Sequence, residues 1–257
     1  MRVADRMISH FDKTIFSLQS PPSMRGKDLT LEGIYQIPAM GFSNAYLAEI
    51  APKNMLLIDT GTSSGGSKVL DYLSKIGQNP NVISEIVLTH ADADHSGSAA
   101  KLKRATGAKL AVGELDAPRV SGEVKKIKES SGIGNLLLSL FGAFMRVERI
   151  KPDILLKEGG TIGPYTILHT PGHTDGSISL YKPGQVLFVG DILRTAGSGE
   201  IRLPGNMMNR NPAQLRKSVE RISNLDFAAL MPGHGKPIME NASQKLKEFV
   251  VKGLKGA

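Results

Sequence analysis

Residues 89–98, THADADHSGS, constrain this chain more than any other stretch of it. Two imidazoles and two carboxylates, His90, Asp92, Asp94 and His95, fall within six positions directly after the apolar run Ile86, Val87, Leu88. Alternate side chains of an extended segment project to one side. His90, Asp92 and Asp94 are therefore expected to converge as the chain leaves a strand, with His95 swung in by the turn that follows. The plainer reading is that histidine and aspartate are frequent in turns. Asp94 or Ser96 would then only cap a helix running from Gly97 to Ala105 and stopped at Gly107. The rest of the chain decides between the two.

From Gly33 the segments GIYQIP, NAYLAEI and MLLID, separated by Pro, Gly and Asn breaks, predict an antiparallel meander. The third run ends in Asp59-Thr60-Gly61. A Ser/Gly stretch then opens a helix with Val69, Leu70, Leu73 and Ile76 on one face, closed by Gly77. Asp59 thus sits at the exit of a buried strand, where it braces the loop. Strands at 85–89 and 109–112 follow, and then 114–150 interrupts the alternation as a helical insertion. Its second part, 132–147, is apolar on more than one face and must be covered by something. Ordinary core is the first expectation, a lid or a homodimer contact the next. After Asp153 come the strand-like runs ILLKE, YTILHT, ISLYK and QVLFVGD, and a helix from Pro212 to Ser223. The run AALMP and a helix from Ala242 to Val251 complete the series. One domain over 1–257 is expected, and the pattern leaves 1–30 unplaced.

Four of these apolar runs end in a candidate ligand: IVLT at His90, TILHTPG at His173, VLFVG at Asp191 and AALMPG at His234. Functional side chains collect at strand ends, where they converge without breaking a core. With His95 beside His90, four of the six histidines belong to these places, which decoration does not explain. The chain has no cysteine, so any metal must be held by nitrogen and oxygen and a thiolate nucleophile is excluded. The ten-residue apolar segment 136–145 is short of the roughly 20 residues that span a bilayer, and the first twenty residues lack a signal-type apolar stretch. A cytoplasmic protein without membrane attachment is expected. The net charge of +8 comes mainly from scattered lysines with no aromatic-interleaved basic motif. Nucleic acid is therefore disfavoured as a partner, and a small-molecule substrate, with an anionic group suited to the charge, is preferred.

The ordered motifs Asp59-Thr60-Gly61, THADADH, TPGHTDGS (170–177), FVGD (188–191) and PGHG (232–235) resemble the metallo-β-lactamase-fold superfamily. The resemblance implies an α/β fold, a four-layer αββα sandwich with metals along one edge. It also implies a ligand set: His90, Asp92 and His173 for one metal, and Asp94, His95 and His234 for the other, with Asp191 bridging. Asp59 corresponds to a carboxylate behind the ligands that holds their loop in place. His169, three residues before the Thr-Pro-Gly-His run, is expected to face structure.

One position departs from the pattern. The usual motif is His-x-His-x-Asp-His, and Asp92 stands where the second histidine is expected. Three aspartates and a bridging hydroxide offset the charge of two divalent ions, where the usual set leaves one positive charge over. A more neutral site is a weaker Lewis acid, and a harder one. Zinc is the first expectation, with iron or manganese favoured more than in the common pattern. Motifs TPGHTDGS and PGHG resemble the glyoxalase II and lactonase side of the superfamily, implying a hydrolase of ester, thioester, lactone or phosphoester bonds. In it Asp94 would orient the nucleophile and pass on its proton. Arg194, Arg202 and Arg210 lie in a loop where an anionic substrate group could be met. The alternatives are a di-iron redox protein, since flavodiiron proteins also carry a carboxylate at that position, and a metal-dependent nuclease.

Overall fold

The computed structural model describes residues 29–254, apart from 32, 39, 124–146 and 198. The apolar run expected to form a lid or dimer contact, 132–147, lies outside the described residues except for Val147, as do His10 and the first 28 positions.

The expected meander is present as β1 (Leu29–Leu31), β2 (Ile34–Gln36), β3 (Tyr46–Ala51) and β4 (Asn54–Ile58), each antiparallel to the next. Helix α1 (Gly65–Lys75) then carries the chain to β5 (Ile83–Leu88), which runs parallel to β4. The short turn of helix α2 (Ala93–Ser96) and helix α3 (Ala99–Thr106) lead to β6 (Lys109–Gly113). After α4 (Ala117–Ser121) the sheet ends in β7 (Ile154–Leu156). Among the described residues these seven strands form one sheet in sequence order.

A second sheet is ordered β14-β11-β10-β9-β8, from β8 (Thr161–Ile162), β9 (Tyr165–His169), β10 (Ile178–Lys182), β11 (Val186–Gly190) and β14 (Ala229–Pro232). A small ribbon, β12 (Arg194–Thr195) with β13 (Ile201–Arg202), and helix α5 (Pro212–Ile222) lie between β11 and β14. Asn211 caps α5 by accepting a hydrogen bond from Gln214 N at 3.0 Å, and Pro212 occupies the first turn, where its missing N–H costs nothing. The C-terminal helix α6 (Ala242–Val251) has the bounds that its apolar stripe predicts.

Strand alternation divides the core into three layers of side chains. Leu57, Ile86, Leu88, Leu110 and Val112 pack with Val69, Leu73 and Leu102 of α1 and α3. Their neighbours in the strands, Leu56, Ile58, Val87 and Ala111, turn the other way and meet Ile167, Leu180, Phe188 and Met231 of the second sheet. Leu187, Val189 and Leu230 face outward against Leu215, Val219 and Ile222 of α5 and Leu246 of α6. The order is helix, sheet, sheet, helix. Both faces of the central strands are covered, which is why these runs are apolar throughout and do not alternate with polar residues. Among the described residues no helix is long and apolar enough to cross a membrane.

Phe188 stands at the middle of the inter-sheet layer, edge-on to Tyr46 and Tyr165 at ring-centre distances of 5.4 and 5.6 Å. Phe188→Ala should lower the unfolding free energy by about 3–5 kcal/mol, measured by chemical denaturation.

Candidate metal centre

The ligand-bearing loops leave the two sheets along one edge. Strand β5 ends at Leu88, so His90 and Asp92 lie in the turn that follows. Asp92 is the residue before helix α2, and Asp94 and His95 are inside it. The expected convergence of His90, Asp92 and Asp94 from one extended segment is not seen: the helical turn carries Asp94 into a different group from His90 and Asp92, and His95 shares one group with His90 and another with Asp94. Gly97, between α2 and α3, lies beneath the loop at Thr62 and Ser63, which leaves no room for a side chain. A β-carbon there would meet Thr62 C at 2.6 Å and Ser63 N at 2.7 Å. The second sheet contributes His173 from the turn after β9, Asp191 directly after β11, and His234 after β14.

Three groups of donor atoms result, each within 4.8 Å: His90, Asp92 and His173; Asp94, His95 and His234; and His90, His95 and Asp191. In the first group Asp92 Oδ2 lies 3.1 Å from His173 Nε2 and 3.7 Å from His90 Nε2. Asp94 Oδ2 is 3.2 Å from His234 Nε2 and 3.6 Å from His95 Nε2. Asp191 sits between, with Oδ1 3.2 Å from His95 Nε2 and Oδ2 3.1 Å from His234 Nε2 and 3.8 Å from His173 Nε2. Gly233 permits this approach, since a β-carbon there would lie 2.1 Å from Asp191 Oδ1.

All four imidazoles use Nδ1 outward and turn Nε2 inward. His90 Nδ1 meets Thr89 Oγ1 at 3.0 Å, His95 Nδ1 meets Asp59 Oδ2 at 2.8 Å, His173 Nδ1 meets Asn209 Oδ1 at 3.0 Å, and His234 Nδ1 meets Phe42 O at 2.8 Å. Each outer partner has an acceptor facing the ring, which favours a proton on Nδ1 and turns Nε2 toward the centre, where carboxylates meet those of His95, His173 and His234. Asn209 is oriented for this by its own amide, which donates to Pro204 O and Gly205 O at 3.2 and 3.1 Å.

The charges at this rim are unbalanced without a cation. Burial raises the Asp191 carboxyl, but the charge of His95 and hydrogen bonds from His234 and His95 bring it well below the usual carboxylate range. Burial raises Asp92 and Asp94 as well, and neighbouring imidazoles, with Arg119 in the case of Asp92, lower both. Burial lowers His234, yet hydrogen bonds to Asp191 and Asp94 push it up to about 9. His95 and His173 are raised in the same way against their burial, whereas burial wins at His90 and lowers it. The carboxylates thus gather positive charge, as protons or as metal. Buried His90 Nε2 has no hydrogen-bond partner, and such an orphan is costly unless something coordinates it. The donor set is nitrogen and oxygen only, and it fits divalent metal.

The structure brings His90, His95, His173, His234 and Asp191 together at this edge with Asp59 behind His95, and His169 points elsewhere, with Nε2 2.8 Å from Asp175 O. Arg210 and Arg202 are engaged by Asp175 and Glu200 at 2.8 and 3.0 Å. Sequence reading missed Asp116, Arg119, Thr89 and Asn209. Asp116 is fully buried and accepts from Ala91 N at 2.7 Å, Thr174 Oγ1 at 2.8 Å and Gly176 N at 3.2 Å. It therefore ties the loop of His90 and Asp92 to the loop of His173. Its only signal in the sequence is its place just past a strand end, two residues before Pro118.

A profile described as the metallo-beta-lactamase superfamily matches residues 39–234. A probable metallo-hydrolase of Methanocaldococcus jannaschii is 32% identical over 79% of this chain and 92% of its own length. A hydroxyacylglutathione hydrolase of Shewanella loihica is 29% identical over 77% of this chain, which spans only 64% of that relative. Among solved structures, a metallo-beta-lactamase family protein of Thermus thermophilus superposes with a TM-score of 0.68 at 24% identity, covering 87% of this chain and 80% of that one, and shows the shared fold. A protein solved in a di-iron-bound form gives a TM-score of 0.61 at 27% identity, covering 81% and 92%.

Asp116→Ala leaves Ala91 N and Gly176 N without their acceptor and Thr174 Oγ1 with Ser177 Oγ alone. It should cost about 3 kcal/mol in a denaturant titration, since each unsatisfied buried donor costs about 1–3 kcal/mol before the loops relax. His234 supplies a pH test in metal-free protein. Its folded value of about 9 lies above the ordinary 6.5, so its stabilisation is complete below pH 6.5 and is lost as pH rises to about 9. The melting temperature of the metal-free protein should fall over that window, and His234→Gln should flatten the fall.

Proposed function

Because this chain belongs to the metallo-β-lactamase superfamily, we propose that it is a metal-dependent hydrolase that cleaves an ester, thioester, lactone or phosphoester bond. The observation that carries the reading is the set of four inward Nε2 atoms and three aspartates drawn from loops of both sheets, with buried His90 Nε2 left unpaired. His90, Asp92 and His173 would hold one divalent ion and Asp94, His95 and His234 a second, with the Asp191 carboxylate between the two sets. Ions bound there supply Lewis acidity toward a carbonyl or phosphoryl oxygen and activate water near neutral pH. Asp94 orients the attacking water and accepts its proton, while the outward Nδ1 bonds keep the imidazoles from turning as charge develops. Zinc is the metal proposed. Relatives named hydroxyacylglutathione hydrolase favour a thioester, the bond that joins an acyl group to glutathione sulfur.

A second reading, a di-iron redox centre, draws on two observations: the carboxylate of Asp92 in place of an imidazole, and a structural neighbour solved in a di-iron-bound form. Metal analysis by mass spectrometry joined to a screen of thioesters, lactones and phosphodiesters separates the two. Stoichiometric zinc with ester turnover is expected. Iron with a visible charge-transfer band and no turnover would favour the redox centre.

Asp92→Ala should lower metal occupancy and turnover together, and Asp92→His should retain metal and move preference toward zinc. Identical metal content in the parent and both variants would remove Asp92 from the ligand set.

A further inference from the structure

The two oxygens of Asp92 have different neighbours. Oδ2 faces His173 and His90, at 3.1 and 3.7 Å from their Nε2 atoms. Oδ1 accepts a hydrogen bond from Arg119 Nη2 at 3.0 Å. Arg119 is itself anchored. Its backbone N–H donates to Asp116 O at 3.0 Å, and its carbonyl accepts from Arg149 Nη1 at 2.6 Å. Its second arm, Nη1, is buried without a hydrogen-bond partner 3.9 Å from Asp116 Oδ1. Asp116 also receives Ala91 N at 2.7 Å. The guanidinium and the carboxylate it binds are thus attached to one rigid post.

We infer that Arg119 is a positioning residue that makes Asp92 a one-oxygen donor and thereby sets the metal preference of the centre, an inference that rests on the metal-dependent reading above. With Oδ1 engaged by the guanidinium, only Oδ2 is free to coordinate. The positive charge of Arg119 offsets that of the carboxylate, so the pair presents a single donor of nearly neutral net charge, as an imidazole does. Arg119 restores the excess positive charge that Asp92 would otherwise cancel. Without Arg119, Asp92 can offer both oxygens to one ion, a harder donor set with a higher coordination number that suits manganese better than zinc.

Loss of the guanidinium also removes a positive charge, which acts alike on any divalent ion. That contribution cancels in the ratio of zinc affinity to manganese affinity, leaving the ratio to read donor geometry. The test uses metal-free full-length protein, its Arg119→Gln, Arg119→Lys and Asp92→His variants, and both double variants. Zinc and manganese affinities are measured by competition with a chromophoric chelator. The zinc-to-manganese ratio should fall about tenfold or more in Arg119→Gln, in line with the roughly 10- to 100-fold effects of outer partners on metal affinity. Arg119→Lys keeps the charge but lacks the planar fork, so its ratio should lie between. In the Asp92→His background neither substitution should move the ratio by more than about twofold, because the carboxylate that Arg119 positions is gone.

A ratio indifferent to Arg119, or one that falls equally in both backgrounds, overturns the inference and leaves the metal reading standing. If Arg119→Gln fails to fold, Arg119→Lys is judged by the same two criteria. Failure of the parent to bind either ion overturns the metal reading and this inference with it.

Discussion

Asp59 receives Thr89 N and Thr89 Oγ1 on its two oxygens and His95 Nδ1 on one of them, each at 2.8 Å, in a place closed to solvent. A buried carboxylate is tolerated only when donors replace its lost water, and three do so here. Thr89 in turn meets His90 Nδ1, so one carboxylate orients imidazoles assigned to different metals. The backbone contributes as well. Asp59 has φ +59°, a left-handed conformation that aspartate tolerates better than most residues, and it turns the chain off β4. The loop it starts then grips helix α2, with Thr60 N donating to His95 O at 2.7 Å and Gly97 N donating to Gly61 O at 3.0 Å. Local backbone strain at Asp59 is held in place by the surrounding bonds, as at other functional sites.

The centre lies on the seam between sheets, and the seam is stitched independently of any ion. Ile178 N donates to Thr89 O at 2.9 Å, Tyr46 OH to Pro232 O at 2.8 Å, and Asn44 Nδ2 to Pro232 O and Gly235 O at 2.9 and 2.7 Å. These bonds fix the loops of His90, His173 and His234 relative to one another, with the apolar inter-sheet layer behind them. A packed scaffold holds the loops that crowd seven polar side chains onto one edge, where imidazoles and carboxylates approach to 3.1–3.8 Å.

The architecture was legible because each central strand is buried on both faces and so appears as an unbroken apolar run, ended by Gly, Pro or Asn. The candidate ligands were legible because they cluster just beyond such runs. Other features were not. The need for glycine at Gly97 comes from a distant loop, at Thr62 and Ser63, packed against it, and no local pattern reports it. Asp116 and Arg119 belong to a stretch whose sequence reads as the start of an insertion, yet their side chains reach back to Ala91 and Asp92. Asn209 holds His173 from a loop 36 residues downstream. Contacts of this kind are set by tertiary packing, and periodicity carries no trace of them.

The parentage of the donor atoms has a consequence for how the protein matures. His90, Asp92, Asp94 and His95 come from the first sheet, and His173, Asp191 and His234 from the second, so every triad needs both a residue before Ser96 and a residue after Gly172. A nascent chain that has finished only its N-terminal half can present a fragment of a ligand set and nothing more. A complete donor group exists only once loops of both sheets have docked, so the centre is assembled late, after the sandwich has closed.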